Sequence, residues 1–262
     1  NMLYALGADG WSSDYRDESS LLTEVAGRLC YKAFGVGLNP NITRVREGNM
    51  QYVNNLLDQL HGSVLEHSSV SFALLNVSRI LTHELVRHRV GIAFSQESQR
   101  FVRLDRFSVW VPDLTPSLGA LWDHEHSGNT DTEARDDWIA NRQAMFLEAV
   151  ESISETAKAN IAHLVEQWGI DANGVPFHIK KGLTSALRRF VPGGVQTHII
   201  VSANHRTWRH NLNVRTAPGA EQEIVECFDL IGEILVADYP AIYQDVELIP
   251  HDTGVHFKLK KV

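Results

Sequence analysis

Arg87, His88 and Arg89 stand in a row at the start of RHRVGIAFSQESQRF (87–101), and Arg100 closes the stretch beside an aromatic. Between them Ser95, Gln96, Ser98 and Gln99 supply neutral donors and acceptors. A guanidinium group is a planar fork that matches phosphate oxygens, and each charge-assisted hydrogen bond contributes about 1.5–3 kcal/mol. Several of them converging would hold a nucleotide phosphate while the amides read a ring edge. The plainer reading is a solvated helix end, where cations suit the dipole. No GxGxxG or P-loop pattern occurs, so glycine is not the phosphate cradle.

A second group lies in SALRRFVPGGVQ and NHRTWRHNLNVR, where Arg206 and His210, and likewise Asn211 and Arg215, are i, i+4 neighbours on a helix. In an acidic protein, a helix bearing Arg206, Arg209 and Arg215 is either a carboxylate-paired surface or an anion site. DHEH (123–126) has metal-ligating residue types, but they are consecutive and lack a distant partner, so a solvated loop is the better reading. Trp208 and Phe101 at their spacing read as core before they read as stacking platforms.

These residues need elements to hold them. ESSLLTEVAGRLCYKAF (18–34) and TRVREGNMQYVNNLLDQLHG (43–62) have apolar residues at helical spacing. SVSFALLNV (69–77) reads as a strand. SRILTHELVRHR (78–89) reads as a helix opened by an N-cap serine, with Arg79, His83 and Arg87 on one face. FVRLDRFSVWVPDL (101–114) alternates as a strand that Pro112 ends. TPSLGALWDHEHSGNTDTEARDD (115–137) is polar and turn-rich, an expected exposed loop or insertion. Helices are expected over 138–168 and 176–190, a strand over 195–203, then helices over 204–215 and 219–240. With no internal repeat and no regular βαβ period, the fold class is α+β. The expectation is a single domain over 1–262, a mixed or antiparallel sheet flanked by long helices.

At 262 residues, 44% hydrophobic and 21% charged, the chain can bury a sizeable core. A formal charge of −8 argues against a general nucleic-acid binder, so an anionic ligand needs a local arginine cluster. Two distant cysteines, Cys30 and Cys227, fit neither a disulfide framework nor a metal site and suit a reducing cytoplasm. Both lie in apolar, helix-like surroundings and are expected to be small buried hydrophobes. No run approaches the roughly 18 apolar residues of a membrane span.

RHRVGIAFSQESQRF resembles the signature of the flavin-dependent thymidylate synthases, in which RHR is followed by seven residues, a serine, one residue and Arg-Tyr. HGSVLEH (61–67), RRFVP, NHRTWRHNLNVR and AEQEI extend the likeness in the same order, from about residue 20 to 240. The chain departs from the pattern in four places. Eight residues separate Arg89 from Ser98, Phe101 replaces the tyrosine, Glu84 stands where glutamine is common, and PGGVQT replaces a Pro-Leu-Asn-x-Tyr-Thr stretch.

The resemblance implies flavin contacts at Ser63, Arg87, His88, Arg89, Gln96, Asn204, Arg206 and His210. It implies nucleotide contacts at Glu84, Arg87, Gln96, Glu97, Ser98, Gln99, Arg100, Arg188 and Arg215, with Arg215 facing the uracil ring as the catalytic cation. It also implies FAD as cofactor, NADPH as reductant, methylenetetrahydrofolate as one-carbon donor, and a homotetramer that shares its sites between subunits. The expected reaction is C5-methylation of dUMP without a protein nucleophile. One branch of the family methylates UMP in nucleoside-antibiotic (polyoxin-type) pathways, and Glu84 could suit the extra sugar hydroxyl. Two other classes stay open: a binding protein that has lost turnover, and an RNA-modifying enzyme, which the acidic charge disfavours.

Overall fold

The computed structural model describes residues 2–102, 104 and 106–262. In chain order its elements are α1 (Met2–Ala5), α2 (Glu18–Tyr31), α3 (Asn49–Asp58), β1 (Ser69–Ser78), α4 (Arg79–Leu85), β2 (Ile92–Gln96), α5 (Thr115–Glu125) and α6 (Thr132–Gln167). They continue with α7 (Phe177–Leu187), β3 (Gln196–Asn204), α8 (His205–Arg215), α9 (Gln222–Asp238), α10 (Pro240–Tyr243), β4 (Glu247–His251) and β5 (Gly254–Lys258). Single 3₁₀ turns cover Gly62–Glu66 and Arg188–Phe190. One sheet has the order β1-β3-β2, and β4 pairs antiparallel with β5, Glu247 opposite Lys258. Long helices beside small sheets make the fold α+β. Contacts sort the chain into two compact units: one holds the residues up to Phe72, Arg89–Ala93 and Val201–Val262, the other Ala73–His88 and Phe94–Ile200.

In the first unit each helix buries one face. Asp17 caps α2 by accepting the Ser20 N–H at 2.7 Å, and the apolar spacing of α3 sinks Val53, Leu56 and Leu57 into the core. Trp208 and Leu212 of α8 are fully buried, as are Ile224 and Phe228 of α9, and such burial contributes roughly 1.5–3 kcal/mol per side chain. Gly232 lets α9 approach β5 closely, since a Cβ there would lie 2.6 Å from the Phe257 ring.

In the second unit Asp131 caps α6 through the Ala134 N–H at 3.0 Å. Ile161 of that helix joins Leu104, Ile170 and Leu187 in a small core, with Phe107, Leu183 and Val191 packed against it.

The structure corrects several expectations. The 115–137 segment is helical over most of its length, as α5 and the start of α6. Pro116 sits in the first turn, where its missing N–H costs nothing, and Trp122 is buried with its ring 5.5 Å from that of Trp138. DHEH lies at the end of α5, where His126 stacks on Trp122 at 3.8 Å and Asp123 meets Arg135 at 3.1 Å. The expected 101–114 strand is reduced to one bridge, Val109 with Val195, because Leu104 and Phe107 turn into the small core; its Arg103 and Asp105 lie outside the described residues. The helix expected over 43–62 begins only at Asn49, after Gly48 at φ +81°. The helix expected over 78–89 ends at Leu85, which removes Arg87 from the face of Arg79 and His83.

Cys30 is exposed, not buried. Phe101 is 56% exposed rather than core, stacked on Phe177 at 6.0 Å, whereas Trp208 is core. Among the described residues no helix is long and apolar enough to cross a membrane.

Candidate active site

β3 runs directly into α8, and Asn204 is the hinge between them. Its Oδ1 caps the helix by accepting the Thr207 N–H at 2.9 Å. Its own main-chain N–H donates to the Gly91 carbonyl at 3.1 Å, and the Thr207 hydroxyl donates to the Val90 carbonyl at 2.8 Å. Gly91 has φ +66°, and a Cβ there would fall 2.4 Å from Asn204 Nδ2 and 2.5 Å from Thr207 Oγ1. Glycine alone meets both demands. The tail of the RHR motif, Arg89–Gly91, is thereby fastened to the start of the NHRTW motif.

Along α8, Arg206 and His210 are exposed one turn apart, and Arg215 is half-buried at the last residue. The 3₁₀ turn that exposes Ser63 packs beside this helix. Arg206 pairs with Glu66, and its Nε donates to the Val262 carbonyl at 3.0 Å. Gly62 makes room, since a Cβ would lie 2.8 Å from that nitrogen. Arg209 turns inward instead. It forks onto both Asp245 oxygens at 2.7 Å and donates to the Ile242 carbonyl at 2.6 Å, with 2% of its surface exposed. Burial pushes the Asp245 carboxyl up, but the Arg209 hydrogen bonds and charge more than offset this and hold it below the usual range. Arg209 is therefore part of the scaffold. Of the two readings of this helix, carboxylate pairing holds for Arg206 and Arg209.

The first unit thus assembles Ser63, Arg89, Asn204, Arg206, His210 and Arg215. Guanidinium, imidazole, amide and hydroxyl groups on the exposed face of α8 and beside it fit an anionic dinucleotide such as FAD.

The second unit holds the remaining residues. Glu84 lies in the last turn of α4, and Arg87 and His88 follow it in a turn, their N–H groups donating to the Glu84 and Leu85 carbonyls at 3.4 and 3.1 Å. Gln96 ends β2 and donates from Nε2 to Thr82 Oγ1 at 2.9 Å. Glu97 is locked to β3 twice: its N–H donates to the His198 carbonyl and its Oε2 accepts the His198 N–H, both at 3.1 Å.

Glu97 and Gln99 line a pocket of about 240 Å³ with Asn76, Arg106, Gln196 and His198. Asn76, at φ +59°, donates its N–H to His198 Nδ1 at 3.0 Å, which assigns the ring proton to Nε2. Ser98 and Arg100 do not line that pocket. They belong to the next turn, where the Phe101 and Val102 N–H groups both donate to the Ser98 carbonyl at 3.0 Å. Arg188 is exposed at the head of the second 3₁₀ turn.

Sequence reasoning missed β2 itself, together with Glu66, Gly91, Thr82, Thr207 and His198. One signal was available: a glycine two residues after an arginine-rich motif, and a threonine three residues after an N-cap asparagine, mark tight backbone approaches. The partners of Glu66 and Thr82 are distant in sequence and left no local trace.

The family model "Thymidylate synthase complementing protein" matches residues 13–241. A flavin-dependent thymidylate synthase from Mycolicibacterium gilvum (strain PYR-GCK) is 34% identical over 245 residues, covering 91% of this chain and 83% of its own length. Relatives of the same name from Mycobacterium marinum (strain ATCC BAA-535 / M) and Mycobacterium avium (strain 104) are 33% and 31% identical over 242 residues, with the same coverage. An α+β chain whose RHR and NHR motifs are fastened together, matched over nearly all its length, belongs to the flavin-dependent thymidylate synthase family.

Proposed function

We propose that this protein carries out the flavin-dependent reductive methylation of a uridine 5′-monophosphate nucleotide at C5, with dUMP as substrate and dTMP as product. Methylenetetrahydrofolate is the one-carbon donor and NADPH the reductant. The observation that carries the reading is the fastening of Arg89–Gly91 to Asn204 and Thr207, which keeps two cation-bearing motifs in one place within a chain of this family. Bound FAD would supply the reducing equivalents and relay the methylene group.

The protein's own residues then bind and polarise. Ser63, Arg87, His88, Arg89, Gln96, Asn204, Arg206 and His210 hold the flavin. Glu84, Arg87, Gln96, Glu97, Ser98, Gln99 and Arg215 hold the nucleotide, with Arg100 and Arg188 on its 5′-phosphate. Arg215 stabilises negative charge as it builds on the pyrimidine ring, a preorganised-donor role. Cys227 supports a route without a thiolate: burial first, and then Glu223, push its thiol up to about 12. A homotetramer with shared sites belongs to the same reading, supported by the apolar side chains that α6 leaves exposed, Met145, Leu147 and Ile153.

The test is a paired incubation of dUMP and UMP with FAD, NADPH and methylenetetrahydrofolate, with the methylated product sought by mass spectrometry. Product from dUMP, lost in Arg215→Ala while the flavin absorbance stays, is expected. Efficient product from UMP would move the protein to the ribonucleotide branch, and product from neither would overturn the reading.

A further inference from the structure

β5 and the residues after it run back along α8 in reverse order. Phe257 donates its N–H to the Thr216 hydroxyl at 2.9 Å, and Leu259 donates its own to Asn213 Oδ1 at 3.3 Å. Lys260 donates its N–H to Asp245 Oδ2 at 3.1 Å, and its carbonyl accepts from Arg209 Nη2 at 3.2 Å. The Val262 carbonyl then accepts from Arg206 Nε at 3.0 Å. Arg206, Arg209, Asn213 and Thr216 are spaced by three, four and three residues, so they form one stripe down the helix. Each turn of α8 is thus held by a successive part of one segment.

The contacts to Arg209, Asn213 and Thr216 are framework: Arg209 and Thr216 are buried, as are Phe257 and Leu259. The contact to Arg206 is different, because that side chain is exposed and stands in the flavin set. A long exposed arginine samples many rotamers, and freezing them opposes ligand binding unless the fold has done so beforehand. Two acceptors do so here, the Val262 carbonyl at Nε and Glu66 at Nη1. Gly62 keeps the space between the segment and the helix clear. A Cβ there would lie 2.5 Å from the Val262 carbonyl carbon and 2.8 Å from Arg206 Nε.

We infer that residues 257–262 are a positioning strap for the flavin site, which acts through Arg206 by holding its guanidinium ready for a phosphate oxygen of the dinucleotide. The inference rests on the reading that places Arg206 at the flavin, and it adds a segment that carries none of the family's motifs.

Lys260→Pro removes the N–H given to Asp245 and the ammonium paired with Asp58, loosening the segment without touching Arg206, Glu66 or Ser63. FAD titration of the full chain, followed by flavin fluorescence, compares wild type, Lys260→Pro, Arg206→Ala and the double variant. The expected result is a loss of about 2- to 10-fold in FAD affinity for Lys260→Pro, the fold-change for one net hydrogen bond. Added to Arg206→Ala, the same change should cost nothing more, since the strap then has no cation to hold. A merely structural segment would lower the affinity equally in both backgrounds, and that result would overturn the inference. Unchanged affinity in Lys260→Pro would overturn it too. In either case a wild type that binds FAD keeps the flavin reading, whereas a wild type that binds none sinks that reading and the strap with it. Gly62→Ala reaches the same contact from the other side, with a methyl group set against Val262, and decides the matter if the proline variant does not fold. A loss that vanishes in the Arg206→Ala background supports the strap, and no loss, or one that persists there, overturns it.

Discussion

His205 stands between two residues of the flavin set, yet its ring is fully buried, with Nδ1 3.1 Å from the Tyr243 hydroxyl and Tyr239 edge-on at 4.7 Å. Burial, and then the Arg209 charge, pull its pKa down from 6.5 to about 4. The unfolded chain therefore takes up this proton near pH 6.5, while the folded chain resists until about pH 4. The stability is fully present above the unfolded value and is lost as pH falls through that window, with about 2 kcal/mol gone by pH 5. Urea midpoints at pH 7 and pH 5 should show a smaller acid-induced drop for His205→Gln than for wild type. Equal drops would mean that the ring is not held neutral. At this scale the sequence is a poor guide, because Arg206 and Arg209 look alike on paper and only the fold sends one outward to Glu66 and the other inward to Asp245.

At the scale of elements, the turn between α4 and β2 and the junction between β3 and α8 decide where the motif residues stand. Gly91 is the tightest point. Alanine there meets the left-handed backbone penalty of about 1–2 kcal/mol and, in addition, overlap with Asn204 and Thr207. Gly91→Ala should lower the melting temperature and weaken FAD binding together, read by thermal unfolding and flavin titration. A variant with wild-type values for both would show that the fastening does not matter. α5 teaches the complementary lesson. Its Pro116, Ser117 and Gly119 read as loop residues, but Pro116 is harmless in a first turn. Gly119 lies where a Cβ would come 2.4 Å from Arg135 Nη2, a reason for glycine that only the approach of α6 reveals. β2 was hidden for another reason: only Ile92 and Phe94 mark its inward face, too few to show alternation among the polar residues of the motif.

For the whole molecule, a ligand that binds the folded chain alone stabilises it by mass action. At a FAD concentration 100 times its Kd the gain is about 2.7 kcal/mol, or a rise in melting temperature of roughly 5–10 °C for a chain of this size. Differential scanning fluorimetry with and without FAD measures it, and an unmoved transition would contradict flavin binding. The sequence by itself determined α2, α8, α9 and the two strands β1 and β3, whose periodicities are long and whose apolar faces need no partner to be recognised. It also determined the motifs, because arginine, histidine and amide side chains at fixed spacing are legible without coordinates. The tertiary structure decided which cations are free to meet a ligand. That outcome depends on partners far away in sequence: Glu66 for Arg206 and Asp245 for Arg209. Charge pairing acts through space at a few ångströms, and no local pattern along the chain encodes which side chains the fold will bring that close.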